Sequence, residues 1–439
     1  MFKLPNGWEQ KNLGELAAPT PNSFVDGPFG SNLKTDEYTS EGVRLIQLQN
    51  IGEGVWLDEN QKFISHRKLN HLSRHTAYPG EIAIAKMADP VARACILPGV
   101  SEKFVVVADC IKLTPDYTQY DSRYLVYAIN HQNVRVQAEQ KSIGTTRKRI
   151  NLSVLKTLKI WIPPISEQQC IAEILDTIDE AIAHTSSIIA KLKQIKAGLL
   201  HDLLTRGLDE NGELRDAIAH PEQFKDSPIG RIPKDWSITN IGEIARVRRG
   251  ASPRPIDSPE WFANEGFGWV RITDVTRSNG HLYRTEQYLS SRGVLRSVPV
   301  KPGQLIMSIC ATIGEPAIVE INVCIHDGFV VFDQYQKKLN TKFLYYFLRY
   351  WMPQFRSSGQ TGTQANLNTT IVNSTPIILP PLPEQERICS ILNTHDTRIR
   401  TEEAYLEKLK LQKKGLMHDL LTGKIRVGAY CNTPLQISE

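Results

Sequence analysis

Residues 163–205 read PPISEQQCIAEILDTIDEAIAHTSSIIAKLKQIKAGLLHDLLT, and residues 380–422 read PPLPEQERICSILNTHDTRIRTEEAYLEKLKLQKKGLMHDLLT. The two stretches align without a gap, because 380 − 163 and 422 − 205 both equal 217. In both, apolar residues recur in alternating steps of three and four, the heptad pattern of helices that lie along each other. We therefore predict two long helices that pair with each other. The residues predicted to form their seam are Ile171, Leu175, Ile178, Ile182, Ile189, Leu192, Leu199, Leu203, Ile388, Leu392, Ile399, Leu406, Leu409, Leu416 and Leu420.

Start and stop signals flank both predicted helices. Ser166 with Gln169 three residues later forms a capping box at the first start, and Pro383 suits a first helical position at the second. Gly207 and Gly423 are expected to end the helices. About 39 residues at 1.5 Å each would make a rod of roughly 58 Å.

The repeat continues in the residues before each helix. PNGW at 5–8 matches PKDW at 233–236, and YPGEI at 78–82 matches KPGQL at 301–305. The offset shrinks from 228 at the first pair to 217 at the helices, so the second copy is shorter by 228 − 217 = 11 residues. Matched anchors with a drifting offset indicate one fold used twice with different loops, and loops are where a scaffold varies what it recognises.

Each repeat is thus a globular body followed by a long helix. Short apolar strands at 43–48, 81–85 and 104–107 and a helix at 122–133 are predicted in the first body, so the fold class is α+β with mixed α/β bodies. The predicted boundaries are 1–165 for the first body, 166–206 for the first helix, 207–232 for an exposed polar connector, 233–382 for the second body, 383–422 for the second helix and 423–439 for a tail.

Composition excludes several classes of protein. At 41% hydrophobic and 23% charged, the chain has the make-up of a soluble globular protein, and its net charge of +5 permits an anionic partner without demanding one. Seven cysteines without a CxxC argue against a disulfide framework or a zinc cluster and for a reducing compartment. Neither a leader nor an 18-residue apolar run is present, so we expect a cytoplasmic protein without membrane contact.

The placement of charge is more informative than its sum. Residues 140–166 and 334–383 contain no Asp or Glu, and each run mixes cations with amides and hydroxyls just before a long helix. Cations neutralise phosphates, and amides and hydroxyls pair with base edges, so these runs predict DNA binding. A solvated loop is the alternative, and the recurrence at the same place in both bodies favours DNA. The candidates for this contact are Lys34, Arg44, Lys141, Arg147, Lys148, Arg149, Asn151, Arg248, Arg249, Arg254, Gln360, Thr361, Thr363 and Gln364.

Two sets of polar residues follow corresponding strands and are candidates for reading bases. They are Gln47, Gln49 and Asn50 in the first body and Arg271, Thr273 and Asp274 in the second. The alternative interpretation is an ordinary polar strand surface.

Catalytic patterns are weak. Asp116, Glu139 and Lys141 match the loose spacing of a metal-dependent nuclease, but that pattern is permissive and the second body has no equivalent. His201 and His418 each precede an Asp at a helix end, where packing is the expected role. We find no convincing catalytic set.

Taken together, these features resemble the specificity (S) subunits of type I restriction–modification systems. The resemblance covers nearly the whole chain. Its most specific features are the tandem repeat, PPISEQQ and PPLPEQE at the helix starts, and HDLLT at both ends. DGPFGSN at 26–32 is similar to the opening loop of many first recognition domains, whereas the second copy has RGASP at 249–253. This departure indicates that the two bodies read different sequences.

The resemblance implies a non-catalytic DNA reader, with two target recognition domains joined by two antiparallel coiled-coil helices in a pseudo-two-fold repeat. Each domain would bind one half of a split asymmetric site in double-stranded DNA, and the helices would set the spacing and dock two modification (methyltransferase) subunits. Those subunits would bind S-adenosylmethionine, and two restriction subunits would use ATP and Mg²⁺. No cofactor or metal is expected on this chain. A stand-alone nuclease and a coiled-coil scaffold without a nucleic-acid role are the alternatives.

Overall fold

The computed structural model describes residues 4–28, 30, 32–87, 90–144, 147–358 and 367–427. The chain divides into two compact units. The first unit comprises Met1–Ser186 and Ala404–Glu439, and the second comprises Ser187–Glu403. Each unit therefore contains one body, the first part of the long helix that follows it and the last part of the other long helix.

Both predicted long helices are present. The first spans Ile165–Thr205 and the second Leu382–Leu421, each within one residue of its predicted bounds. Gly207 and Gly423 follow them with φ angles of 66° and 69°, the left-handed conformation that glycine adopts readily at a helix end. The prediction of where the helices stop is confirmed.

Within each unit the two long helices run antiparallel. In the first unit, Glu167 near the start of one helix binds Arg426 just beyond the end of the other, and Asp179 lies 2.5 Å from Lys413. Residue numbers rise along one helix while they fall along its partner, as antiparallel pairing requires. The second unit repeats this order through the pairs Leu208–Glu384 and Lys196–Asp396.

The predicted seam residues are largely withdrawn from solvent. Ten of them are buried: Ile171, Leu175, Ile189, Leu192, Leu203, Ile388, Leu392, Ile399, Leu409 and Leu420. Five are half-buried: Ile178, Ile182, Leu199, Leu406 and Leu416. Towards the helix ends, the seam also packs against a body. Leu175 and Leu420 share the core of the first unit, and Leu203 and Ile388 share that of the second.

The first unit contains two main sheets. Its strands are β1 Glu9–Asn12, β2 Phe24–Asp26, β3 Tyr38–Thr39, β4 Val43–Ile46, β5 Phe63–Ile64, β6 Thr76–Ala77, β7 Ile82–Ala85, β8 Ala94–Ile96, β9 Phe104–Val106, β10 Cys110–Leu113 and β11 Lys159–Ile162. Its helices before the long one are α1 His66–His71, α2 Ser122–Asn130, α3 Gln132–Gln140 and α4 Leu152–Lys156. One sheet has the order β3-β5-β4-β9-β6, with β4 and β9 parallel, and the other has the order β2-β10-β7-β8. Strand β1 pairs with β11.

The second unit repeats this plan. Its strands are β12 Phe224–Lys225, β13 Ile232–Pro233, β14 Ser237–Asn240, β15 Arg246–Arg249, β16 Phe262–Ala263, β17 Phe267–Val270, β18 His281–Leu282, β19 Gln287–Leu289, β20 Val298–Val300, β21 Leu305–Ser308, β22 Pro316–Val319, β23 Val323–Ile325, β24 Phe329–Asp333 and β25 Pro376–Leu379. Its shorter helices are Ile241–Ile244, Ile272–Arg277, Ser291–Leu295, Thr341–Ser358 and Thr369–Ser374. The sheet orders are β16-β19-β17-β23-β20, with β17 and β23 parallel, and β15-β24-β21-β22-β18.

The predicted connector is the part of the fold that the sequence describes least well. Residues 207–232 were expected to be exposed, yet Leu208 and Phe224 are buried and β12 pairs with β13. Arg215, also in this segment, keeps only 11% of its side chain exposed because it binds Glu384. The connector is therefore part of the second unit, held there by one apolar anchor at each end and one buried ion pair between them.

Candidate nucleic-acid interface

One edge of the first unit gathers loops from both sheets. Because β4 and β9 are parallel, the residues that follow them, Gln47 and Val107, lie at the same edge. The backbone N–H of Val107 donates to the carbonyl of Ile46 at 3.2 Å, which holds the two strand ends together. We call this edge the first rim and define it by Asp26, Gln47, Gln49, Asp109 and Arg149.

Ion pairs join the loops of the first rim. Lys86 Nζ donates to Asp26 Oδ2 at 2.9 Å, and Arg149 Nη2 lies 2.5 Å from Asp109 Oδ1. The backbone N–H of Ile150 donates to the carbonyl of Lys86 at 2.9 Å. These contacts place residues 147–151 of the acid-free run at the rim.

The cations of this loop differ in how firmly they are held. Arg147 is exposed. Lys148 faces Glu139 at 3.9 Å with half of its side chain exposed, a pair worth little in water. Lys141 donates to Thr157 Oγ1 at 3.2 Å. Arg147 and Lys148 are therefore available to an anionic partner at small cost.

Asn151 has a structural role in the same loop. Its side-chain oxygen accepts the backbone N–H of Val154 at 2.8 Å and so caps helix α4. A cap of this kind fixes where the loop ends, and it leaves less of the amide for a base.

The three predicted base readers in the first body differ in exposure: Gln49 is exposed, Gln47 is half-buried and Asn50 is buried. Gln49 is exposed and donates to Gln47 Oε1 at 3.1 Å, so the two amides order each other. Asn50 is fully buried, and its amide bonds the backbone of Gln47, Leu57 and Glu59. Asn50 therefore shapes the loop from inside, which corrects its predicted role as a base contact.

Arg44 is also placed differently from the prediction. Its side chain is 4% exposed, its guanidinium binds Asp58 at 3.0 Å, and it lies over the rings of Trp56 and Phe63. Burial lowers the pKa of Arg44 from its ordinary value. A buried, paired cation does not reach a phosphate, so Arg44 belongs to the scaffold. Lys34, by contrast, is exposed.

A second rim occupies the corresponding edge of the second unit. Parallel strands β17 and β23 are followed by Arg271 and His326, which therefore lie at the same edge. Asp327, the next residue, holds the loop 249–254 in place. Its backbone carbonyl accepts a hydrogen bond from Arg249 Nε at 2.8 Å. Its carboxylate accepts hydrogen bonds from Ser252 Oγ at 2.8 Å and from Arg254 Nη2 at 3.3 Å. We define the second rim by Arg249, Arg254, Arg271, Thr273 and Asp327.

The guanidinium of Arg271 is held in place by two neighbouring side chains. Its Nε donates to Gln287 Oε1 at 2.9 Å, and its guanidinium lies 6.0 Å from the centre of the Trp269 ring. Thr273 beside it is exposed. Asp274 is buried and accepts the backbone N–H of Arg271 at 2.8 Å, the same task that Asn50 performs for Gln47. Asp274 is thus a scaffold residue, and its predicted role in reading bases is corrected.

The remaining candidates of the second body fall into two groups. Arg248 is half-buried and its Nε donates to Asp333 Oδ2 at 2.7 Å, so it secures strand β15 to β24. Gln360, Thr361, Thr363 and Gln364 lie outside the described residues. Leu367 and Asn368, the next residues described, line a cavity of about 450 Å³ together with Arg249 and His326.

Sequence reasoning missed two arginines at the rims. Strand β6 is antiparallel to β9 and β20 is antiparallel to β23, so both begin at the rim edge. Arg74 and Arg296, which are exposed, stand two residues before these strands. A signal was present, because residues 60–80 and 287–314 contain no Asp or Glu.

The nuclease pattern does not assemble. The Asp116 carboxylate accepts hydrogen bonds from the side chains of Thr118 and Gln119 within its own turn. The hydrogen bond from the Thr118 side chain is the main reason that the pKa of Asp116 lies below its ordinary value. Glu139 faces Lys148, and Lys141 bonds Thr157. Among the described residues, no group of three or more His, Cys, Asp or Glu side chains could hold a metal ion.

The histidines at the helix ends contact rings of their own units. His201 lies 6.1 Å from the Tyr350 ring, and His418 lies 6.4 Å from the His131 ring. No helix in the described part of the chain has the length and apolarity needed to cross a membrane.

Comparison with known proteins finds relatives along most of the chain. The family model described as "Type I restriction modification DNA specificity domain" matches residues 60–194 and 233–411. The chain is 25% identical over 432 residues to the putative type I restriction enzyme MjaX specificity subunit of Methanocaldococcus jannaschii, covering 97% of this chain and 95% of that protein. It is 24% identical to the EcoBI specificity subunit of Escherichia coli, over 88% of this chain and 79% of that one.

Solved structures share the fold. A chain from a study of complex assembly and conformational transition in a type I R-M system has a TM-score of 0.59 at 17% identity, covering 97% of this chain and 100% of that one. The type I restriction–modification S subunit from M. genitalium has a TM-score of 0.58 at 16% identity, over 95% of this chain and 98% of that one. Since the family model matches well over half of the residues, in two tandem stretches that each join a body to a long helix, the chain belongs to the family of type I restriction–modification DNA specificity proteins.

Proposed function

We propose that this chain is the DNA-reading subunit of a type I restriction–modification complex. Each body reads one half of a bipartite, asymmetric site in double-stranded DNA through its rim. The helix pair sets the distance between the half-sites and docks two modification subunits. The chain itself carries no catalytic group and works in the cytoplasm.

The observation that carries this proposal is the relation between the two rims. They occupy the same place in the same fold, yet the first presents the amides of Gln47 and Gln49 and the second presents the guanidinium of Arg271. Amides pair with both N6 and N7 of adenine, and a guanidinium pairs with O6 and N7 of guanine in the major groove. We therefore propose that adenine contributes to the first half-site and guanine to the second.

The cations around each rim supply the affinity that is independent of sequence. Arg147 and Lys148 in the first unit and Arg254 in the second are exposed or loosely paired. Such cations release counterions when they contact phosphates, which gives binding a steep salt dependence. The rim amides and guanidinium then select among sequences that the phosphate contacts hold in place.

Chemistry is assigned to the partner subunits in this proposal. The modification subunits would bind S-adenosylmethionine, and two restriction subunits would bind ATP and Mg²⁺. A nuclease in this chain is disfavoured because Asp116, Glu139 and Lys141 each have another partner.

The test is to produce this chain and its modification subunit, each alone and both together, and to map methylated adenines across the host genome. The expected result is one bipartite motif with a fixed spacer, seen only when both subunits are present. Methylation that does not require this chain, or a continuous motif without a spacer, would contradict the proposal.

A further inference from the structure

A three-residue contact closes the helix pair in the first unit. Glu167, the third residue of the first long helix, is only 2% exposed. Its Oε2 accepts Trp8 Nε1 at 3.1 Å and Arg426 Nη2 at 2.8 Å, and its Oε1 accepts Arg426 Nε at 2.7 Å. We call Trp8, Glu167 and Arg426 the first clamp. It joins the start of one long helix to the residues just beyond the end of the other.

The second unit contains the same contact, built from the same three residue types. Glu384 is 3% exposed and accepts Trp236 Nε1 at 3.0 Å. It also accepts Arg215 Nη1 at 2.7 Å and Nη2 at 3.3 Å. Trp236, Glu384 and Arg215 form the second clamp. The arginine again comes from beyond a helix end, here the end of the first long helix.

A heptad seam does not choose its own register. Moving one helix past the other by seven residues places apolar groups against apolar groups again, so the seam alone tolerates a slip of about 10 Å. Polar groups with a single set of partners remove that freedom, because a slip would leave a buried charge without its partner. The clamps are such groups, and each joins the start of one long helix to residues beyond the end of the other.

A second polar contact in each unit agrees with the same register. In the first unit, Tyr127 donates to Asp176 and Asp179 at 2.8 Å, and Lys413 binds Asp179 at 2.5 Å. The second unit repeats this contact through Tyr346, Asp396 and Lys196. These contacts are partly exposed, whereas the clamp carboxylates are buried, so the clamps carry the stronger constraint.

We propose that Glu167, Glu384, Arg215 and Arg426 are positioning residues that fix the register of the helix pair and thereby the spacing between the two half-sites. This inference rests on the proposed function. It also gives the tail a role, since Arg426 lies in residues that carry no sequence pattern. The EQ pair of both helix starts gains a physical meaning as well. The glutamate is the carboxylate of the clamp. Gln168 in the first helix and Gln385 in the second hydrogen-bond to backbone groups of the body that precedes the same helix.

The experiment compares three forms of the full chain, each assembled with its modification subunit. One is the natural protein, one carries Arg215→Ala with Arg426→Ala, and the conservative control carries Arg215→Lys with Arg426→Lys. Each is assayed for methylation of DNAs with identical half-sites and shorter or longer spacers. Opening both clamps should lower the preference for the natural spacer by about tenfold, the worth of one charged hydrogen bond, with the half-site bases unchanged. The lysine form should keep most of the preference.

A second variant covers the case in which the alanine form does not fold. Glu167→Gln and Arg426→Met, combined with Glu384→Gln and Arg215→Met, remove the charged pair of both clamps, so no buried carboxylate is left without its arginine. This variant should broaden the spacer preference while the melting temperature changes little. A folded variant of either kind that keeps the natural spacer preference would overturn the inference. If the natural protein and its modification subunit show no bipartite site at all, the proposed function has failed, and this result is distinct from the first.

Discussion

The two units differ at their rims and agree where a body contacts the long helices. At the rims, Gln47 in the first unit stands where Arg271 stands in the second, although Asn50 and Asp274 hold the two loops in the same way. At the helices, each unit has a tryptophan, a buried glutamate and an arginine in the same contact.

The difference teaches which parts of this fold are free to change. A residue in the clamp has partners on two or three elements at once, so a change there leaves a buried polar group unsatisfied. At the rims, Gln47 and Arg271 are partly exposed, and their scaffold partners Asn50 and Asp274 accept only their backbone N–H groups. These two side chains can therefore change without removing the hydrogen bond that holds their loop.

The strongest test of this comparison exchanges the whole first body together with its rim. Replacing residues 1–165 by the first body of another family member should replace one half-site completely and leave the other half-site and the spacer unchanged. The incoming body must supply the indole that binds Glu167. Methylation mapping measures the result, and a hybrid that changes both half-sites, or neither, would show that the bodies do not read independently.

Lengthening the two long helices tests the part of the molecule that is alike in both units. Four residues added after Ser186 and four after Tyr405 extend both helices by about 6 Å while leaving the clamps intact. Base pairs stack at about 3.4 Å, so the preferred spacer should grow by roughly one or two pairs. Methylation of a spacer panel measures the shift. An active variant that keeps the natural spacer would mean that the helices only dock partners.

Neutralising the basic loop tests how the first rim is held on DNA. Changing Arg147, Lys148 and Arg149 together to alanine should weaken binding for all sequences and lower the slope of log K against log salt. Each lost phosphate contact accounts for about 0.9 of that slope. Lys103→Ala is the matched control, because this exposed lysine precedes β9 at the opposite edge. Equal slopes for the triple variant and the control would place the loop away from DNA.

The smallest effect separates a rim residue from its scaffold partner. Gln47→Ala should cost about 1–3 kcal/mol of discrimination at one base of the first half-site and leave stability unchanged. Asn50→Ala should instead lower the free energy of unfolding by about 1–3 kcal/mol, because it leaves buried backbone groups unpaired. Competition binding with single-base variants and thermal unfolding measure the two quantities. If Asn50→Ala changed specificity without changing stability, our correction of its role would be wrong.

The sequence by itself determined the architecture. The 217-residue offset, the heptad spacing and the glycines after HDLLT predicted both long helices to within a residue, since helix pairing depends on periodicity and helix ends on local backbone preference. Strands such as β4, β7 and β9 were likewise legible as short apolar runs. The exposed cations Arg147 and Lys148 were predicted too, because they lie in a run of sequence that contains no Asp or Glu.

Only the tertiary structure decided which polar residues face out. Gln47 and Asn50 are three positions apart and chemically alike, yet one belongs to the rim and the other is buried, because a turn after β4 points the second amide at the backbone of Leu57 and Glu59. Arg44 and Arg147 are the same residue type, and packing against Trp56 and Phe63 hides the first. The clamps were invisible for a related reason. Arg215 and Arg426 lie ten and five residues beyond the ends of their helices, so no alignment pairs them, and only the folded chain brings each to its glutamate.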